Sequence, residues 1–149
     1  MTYDARSDSQ VEILLVEDNP GDIRLTVEAL KSAQVNGRLH TVRNGEEAIE
    51  FLWRRGDHVA APRPQIVLLD LNLPKKSGKE VLKEVKADAS LRSIPVIILT
   101  TSGDPEDVAQ TYELYANCYV RKPLELASFH DVVRRIDEFW LSTARLPEA

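Results

Sequence analysis

Acidic, hydroxyl and ammonium side chains recur at one kind of position in this sequence, directly after an apolar run. Glu17 and Asp18 follow Val11–Val16, and Asp70 and Asn72 follow Ile66–Leu69. Thr100, Thr101 and Ser102 follow Ile94–Leu99, and Lys122 follows Cys118–Val120. Taken singly, each has an ordinary explanation. A strand-end Asp makes a turn or caps a helix, Thr and Ser cap the next helix, and a Lys before Pro is a solvated charge. Taken jointly they are harder to explain. Asn19 is the better cap for the first helix, which leaves Glu17 and Asp18 spare. Three carboxylates at about 4–5 Å and an effective dielectric near 20 repel by roughly 3–4 kcal/mol per pair. Lys122 supplies one positive charge; a divalent cation would supply two. Magnesium suits such a set, being a hard cation held by one or two carboxylates, waters and phosphate oxygens.

Other metal chemistry is not indicated. No calcium loop is present, and His40, His58 and His130 fall in separate segments. A P-loop is also missing. What carboxylates, Mg²⁺, a hydroxyl and an ammonium can do together is phosphoryl transfer onto a carboxylate. An Asp oxygen attacks phosphorus to give an aspartyl phosphate, while metal and ammonium neutralise the equatorial oxygens. Asp70 is the strongest nucleophile candidate, because it ends a fully apolar, central strand and is flanked by the other groups.

The elements that must position these groups alternate. Strands are expected at Val11–Val16, Leu39–Val42, Ile66–Leu69, Ile94–Leu99 and Cys118–Val120. Between them lie amphipathic helices. The first starts at Asn19-Pro20, carries Ile23, Val27, Leu30 and Ala33, and ends at a Val35-Asn36-Gly37 turn. The second follows Asn44-Gly45 with Ala48, Ile49, Leu52 and Trp53 on one side, before a long loop from Gly56 to Pro64. The third follows Ser77-Gly78 with Val81, Leu82 and Val85 inward. The fourth opens at Gly103-Asp104-Pro105 and carries Val108, Tyr112 and Leu114-Tyr115. The last runs from near Leu124 to about Leu141 with a stripe from Phe129 to Trp140. Five strand–helix repeats specify an α/β fold, a doubly wound five-stranded parallel sheet with helices on both faces. Ligands of such sheets sit outside the carboxyl ends of the strands, where strand order reverses. The chemistry-bearing residues lie at those ends.

Composition narrows the setting. The 149 residues, with 43% apolar and 29% charged, fit one globular domain able to bury its own core. A net charge of −5, from 19 basic and 24 acidic residues, argues against a dedicated nucleic-acid binder. The single cysteine, Cys118, excludes an internal disulfide. The polar start MTYDARSDSQ carries no apolar signal core and reads as a flexible N-terminus over residues 1–10. The longest uncharged run, Ser93 to Gly103, is far short of the roughly 20 residues that span a bilayer. No membrane association and a cytoplasmic setting are expected.

The ordered set VEILLVEDNP, LDLNLPKKSGKEVL, IPVIILTTS and NCYVRKP resembles the receiver domains of two-component response regulators, over nearly the whole chain. With the loop APRP and the tail EFWLSTARLP, it is most similar to the single-domain regulators associated with phytochromes. The resemblance implies a flavodoxin-like (βα)5 receiver domain over residues 11–142, with strand order 2-1-3-4-5 and a tail over 143–149. It implies that Asp70 is the phosphoacceptor, modified to 4-aspartylphosphate. Asp18 and Asp70 would ligate Mg²⁺ directly, Asn72 through its backbone carbonyl and Glu17 through water. Lys122 would pair with the phosphoryl group and Thr100 would donate its hydroxyl to it. Tyr119 would swing from exposed to buried as Thr100 moves, and the Lys122–Pro123 bond would be cis. A histidine kinase, of phytochrome type, is the implied partner. One departure is Thr101, where receivers commonly carry a small residue; its β-branched side chain narrows access to the acyl phosphate, and altered autodephosphorylation is expected.

Two other readings stand beside this one. An Asp-nucleophile phosphohydrolase of the dehalogenase type needs a second acid two residues after the nucleophile, and Asn72 occupies that position. A receiver-like adaptor working without phosphorylation would show loss of an acidic or Lys position, and none is lost. Little chain follows the last helix, so the output is expected to be binding rather than catalysis by an attached domain. Phe139, Trp140 and Leu141 are consecutive and cannot share one helix face, so one is left for solvent or a partner. A homodimer through helix 4, strand 5 and helix 5 is expected.

Overall fold

Every apolar run identified in the sequence becomes a strand of one sheet. In the computed structural model, which describes residues 10–32 and 37–148, these are β1 (Val11–Val16), β2 (Gly37–Val42), β3 (Ile66–Leu69), β4 (Val96–Thr100) and β5 (Cys118–Arg121). All neighbouring strands are parallel, in the order β2-β1-β3-β4-β5. The chain goes outward from β1 to β2 and then crosses back to β3. A crevice therefore opens at the carboxyl ends of β1 and β3. The N-terminus expected to be flexible, apart from Gln10, and the helix-one positions at Ala33 and Val35-Asn36 lie outside the described residues.

β3 and β4 are buried along their whole length, as uninterrupted apolar strands covered on both faces must be. Alternate residues feed two core layers. Leu14, Val16, Val67, Leu69 and Ile98 pack with Phe51, Leu52, Val81, Leu82 and Val85 on one side. Ile13, Leu15, Ile66, Leu68, Ile97 and Leu99 pack with Ala29, Leu30, Phe129, Val133 and Ile136 on the other. The first layer is supplied by α2 (Gly45–Trp53) and α3 (Gly78–Ala87), the second by α1 (Pro20–Ser32) and α5 (Leu126–Ile136). No helix among the described residues is long and apolar enough to cross a membrane.

The helix starts follow their caps. Asn19 Oδ1 accepts the Asp22 N–H at 3.1 Å, with Pro20 at the first helical position. Asn44 caps α2, Ser77 forms a capping box with Glu80 on α3, and Asp104 caps α4 (Pro105–Glu113). The ends differ more from expectation. α4 stops at Glu113, and Tyr115 adopts a left-handed backbone (φ 70°) that turns it outward, 75% exposed. α5 ends as an α-helix at Ile136 and continues as a π-helical segment, Asp137–Thr143. The wider turn resolves the conflict among three consecutive apolar residues. Trp140 and Leu141 lean on the α1/α5 core layer, and Phe139 is left 54% exposed with its ring edge-on to Trp140.

Candidate functional site

The parallel register places the site. Val16 lies opposite Leu69, so the next residues, Glu17 and Asp70, leave adjacent strands side by side. The Asp70 N–H donates to the Val16 carbonyl at 3.1 Å and the Glu17 N–H to the Val42 carbonyl at 3.0 Å, fixing both backbones. Carboxylate oxygens of Glu17, Asp18 and Asp70 all come within 4.8 Å of one another. Glu17 and Asp70 are buried and Asp18 is exposed, so the cluster opens to solvent on the Asp18 side.

Lys122, next after β5, reaches across this edge and is only 3% exposed. Its ammonium donates to Glu17 Oε1 at 2.5 Å, to Asp22 Oδ2 at 2.9 Å and to Asp70 Oδ2 at 3.2 Å. The second Asp70 oxygen accepts the Leu71 N–H at 2.7 Å. Burial works against the Lys122 charge, but the hydrogen bonds to Glu17 and Asp22 and the Asp70 charge outweigh it and hold the ammonium well above the usual lysine range. Burial pushes the Glu17 carboxyl up to about 7, with the Asp70 charge adding to it and Lys122 opposing. Asp22 is the site residue that sequence reasoning missed. An acidic residue in the first turn of a helix has a sufficient local explanation in the helix dipole. Its other role appears only once Lys122 reaches across the sheet edge to the first turn of α1.

The remaining expected residues fall into place at the same edge. Thr100 ends β4, next to β3, fully buried, and its hydroxyl has no hydrogen-bond partner. Its carbonyl accepts the Lys122 N–H at 2.6 Å. Thr101 is exposed, and its carbonyl accepts from Arg121 Nε at 3.3 Å. Asn72 is exposed in the turn after Asp70. Tyr119 is half-buried rather than exposed; its phenol donates to the Ser102 carbonyl at 2.8 Å, which holds the ring against the loop after β4. The Lys122–Pro123 bond is trans here, contrary to the cis bond that the resemblance implied. The two forms of an X-Pro bond differ by only about 0.5–1 kcal/mol, so proline itself does not dictate either.

Two glycines let the backbone close around Asp70 and the turn that follows it. A Cβ on Gly78 would lie 2.1 Å from the Asp70 carbonyl oxygen and 2.7 Å from Leu71 Cα. On Gly45 it would lie 1.9 Å from the Lys76 carbonyl oxygen. Backbone cannot yield as a side chain does. Gly78→Ala is therefore expected to lower stability by about 2–3 kcal/mol in chemical denaturation and to weaken metal binding by displacing Asp70.

Hard oxygen donors clustered around a solvent opening, with an orphaned hydroxyl beside them, fit a divalent cation and a phosphoryl group. The Glu17 shift sets a pH dependence. Its folded value, about 7, exceeds the ordinary 4.5. A proton on Glu17 therefore favours the metal-free fold at low pH, and this stabilisation is lost as pH rises from about 4.5 through 7. A cation competes with that proton. Titration calorimetry is expected to show tighter metal binding at pH 8 than at pH 6, with protons released at the lower pH.

Comparison with known proteins agrees with this geometry. The model of the response regulator receiver domain matches residues 13–134. Response regulator Rcp1 of Synechocystis sp. is 47% identical over 137 residues, 92% of this chain and 93% of that protein. The crystal structure of its Mn²⁺-bound form superposes with a TM-score of 0.90 at 46% identity, covering 93% of this chain and 99% of that one. The phosphorylated cyanobacterial phytochrome response regulator RcpA gives 0.91 at 48% identity, covering 94% and 100%. The acidic cluster thus offers donors that could hold a metal ion, in a signalling protein rather than a classical enzyme, and the chain belongs to the response regulator receiver domain family.

Proposed function

We propose that this chain is a phosphoacceptor switch of a two-component system, in which Asp70 takes a phosphoryl group from the phosphohistidine of a histidine kinase. The carrying observation is a buried ammonium reaching Asp70 inside a carboxylate cluster that flanks an unpartnered hydroxyl. An Asp70 oxygen attacks phosphorus, the P–N bond to the kinase imidazole breaks, and the nitrogen keeps the electron pair. Lys122 neutralises charge on the phosphoryl oxygens. The Thr100 hydroxyl gains an acceptor in the product. Mg²⁺ is the proposed cation; it would be held by Asp18 and Asp70, by the Asn72 backbone carbonyl and by Glu17 through water, and it supplies positive charge against the phosphoryl oxygens. A phytochrome-type kinase is proposed from the similarity to RcpA, and a cytoplasmic setting goes with it.

Incubation with acetyl phosphate and Mg²⁺ tests the reading. One acid-stable, base-labile phosphoryl group per chain is expected by intact mass. Multiple turnover of small phosphomonoesters would instead indicate a phosphohydrolase, a reading disfavoured by Asn72 in place of a second acid. Failure to incorporate phosphoryl with all acidic positions intact would point to the adaptor.

Thr101 is exposed and directly follows Thr100, which supports a role for its side chain in narrowing access to the acyl phosphate. The Thr101→Ala variant is expected to change the decay rate of the acyl phosphate; an unchanged decay would remove the idea. The output surface proposed is α4, β5 and α5, used in a homodimer. Tyr115 and Phe139 are exposed aromatic groups there or in the π-helical extension. Sedimentation at tens of micromolar, an order-of-magnitude choice for weak contacts, is expected to show dimers; monomers with and without beryllofluoride would count against them.

A further inference from the structure

The loop joining β4 to α4 is tied down by Tyr119 and by two side chains, Asp107 and Lys79, that the phosphoacceptor reading leaves without a role. Ser102 is held on three sides. Its hydroxyl donates to Asp107 Oδ2 at 2.6 Å and accepts the Asp104 N–H at 3.3 Å, and its carbonyl accepts the Tyr119 phenol at 2.8 Å. The other Asp107 oxygen, Oδ1, accepts from Lys79 Nζ of α3 at 2.5 Å, and the same ammonium reaches Gln110 Oε1 at 2.6 Å. The Lys79 and Asp107 side chains are 31% and 27% exposed, so the pair is shielded more than an open surface ion pair. Lys79 and, behind it, Ser102 hold the Asp107 carboxyl below the usual range. One carboxylate therefore joins three elements: α3, the first turn of α4 and the β4–α4 loop.

This connection lies two residues beyond Thr100. The Thr100 hydroxyl is buried without a partner, and its carbonyl is fixed by the Lys122 N–H. Any backbone movement that carries the hydroxyl toward Asp70 passes first to Thr101 and Ser102, the residues that leave the strand. There it pulls on the Asp107 and Tyr119 hydrogen bonds. Hydrogen bonds that share one residue strengthen one another, so loss of one weakens the others.

We propose that Asp107 is a positioning residue: through Ser102 and Lys79 it latches the β4–α4 loop and α4 to α3 in the arrangement that withholds Thr100 from Asp70. The inference rests on the phosphoacceptor reading of Asp70. The latch and a phosphoryl group at Asp70 oppose each other, and coupling between two such sites is reciprocal. Opening the latch favours the occupied state; occupying Asp70 loosens α4 from α3.

The test is a titration with beryllofluoride in the presence of Mg²⁺, followed by fluorine NMR, on the wild-type chain and on Asp107→Ala and Lys79→Met. Asp107→Ala is expected to bind beryllofluoride about fivefold or more tightly, the lower range of allosteric coupling. Lys79→Met, which leaves Ser102 on Asp107, is expected to shift affinity the same way by less. Affinity for Mg²⁺ alone should stay unchanged, because neither side chain touches the carboxylate cluster. A purely structural role would lower the melting temperature and leave beryllofluoride binding equal or weaker. Should Asp107→Ala fail to fold, Lys79→Met and Asp107→Asn carry the test. Wild-type binding with the folded variants within about twofold, the scatter of independent substitutions, overturns the latch alone. A wild-type chain that binds no beryllofluoride overturns the phosphoacceptor reading and the latch with it.

Discussion

Asp70→Asn is expected to reduce phosphoryl incorporation from acetyl phosphate to background while leaving the fold intact. An amide oxygen of nearly the same shape keeps the hydrogen bond from the Leu71 N–H, so the loss lies in nucleophilicity and charge and not in packing. Metal affinity is expected to drop by about tenfold or more, since one of three clustered carboxylates is gone. The metal-free variant should be no less stable than wild type. Asp70 repels Glu17, whose carboxyl it helps push up, and removing that charge lets Glu17 fall back toward the ordinary carboxylate range. The same substitution thus carries two opposite signatures: chemistry is lost, and the metal-free fold gains, by on the order of 1 kcal/mol once the lost Lys122 contact is set against the relieved repulsion. Phosphoryl still incorporated in Asp70→Asn would place the acceptor elsewhere. A large loss of metal-free stability would mean that the cluster is held together by Asp70 and not strained by it.

How far such a site can be read from sequence depends on how local its signals are. Glu17, Asp18, Asp70, Thr100 and Lys122 were legible because each directly follows or ends an apolar strand, and a parallel sheet aligns those ends without further information. Helix starts were legible because Asn19, Asn44, Ser77 and Asp104 cap through their own first turns. Asp22 was not, because its partner lies 100 residues away and becomes a neighbour only when the Lys122 side chain, beyond the end of β5, reaches the first turn of α1. The same holds for Lys79 and Asp107, which carry ordinary surface charges in sequence and meet only across the α3–α4 interface. The end of α5 was misjudged for a different reason. Phe129 to Trp140 supplies apolar residues at helical spacing, but three consecutive large side chains exceed one face, and the backbone widens to a π-helix to place two of them. Helical periodicity announces the conflict without specifying how the backbone will resolve it.

Removing the ammonium should have the reverse stability signature to removing Asp70. In Lys122→Met, Glu17, Asp22 and Asp70 lose their shared donor at once. Glu17 is 2% exposed, so water replaces little of what is lost. Breaking a buried ion pair by deleting one partner costs about 3–5 kcal/mol, and a loss of that order is expected for the metal-free variant at pH 8. The loss should shrink at pH 6. Lys122 is the group that opposes the upward push of burial on Glu17, so without it the carboxyl rises above about 7 and is neutral at the lower pH. A divalent cation should restore more stability to this variant than to wild type, because it replaces positive charge that the wild-type chain supplies itself. Phosphorylation by acetyl phosphate is expected to slow by about a hundredfold, the usual consequence of losing one preorganised group facing transition-state charge. Denaturation at pH 6 and pH 8, with and without Mg²⁺, separates the two contributions. If Lys122→Met is as stable as wild type at pH 8 without metal, the ammonium is not what neutralises the carboxylates. Their charge would then have to be offset by proton uptake within the cluster itself, and stability would fall with rising pH as steeply in wild type as in the variant.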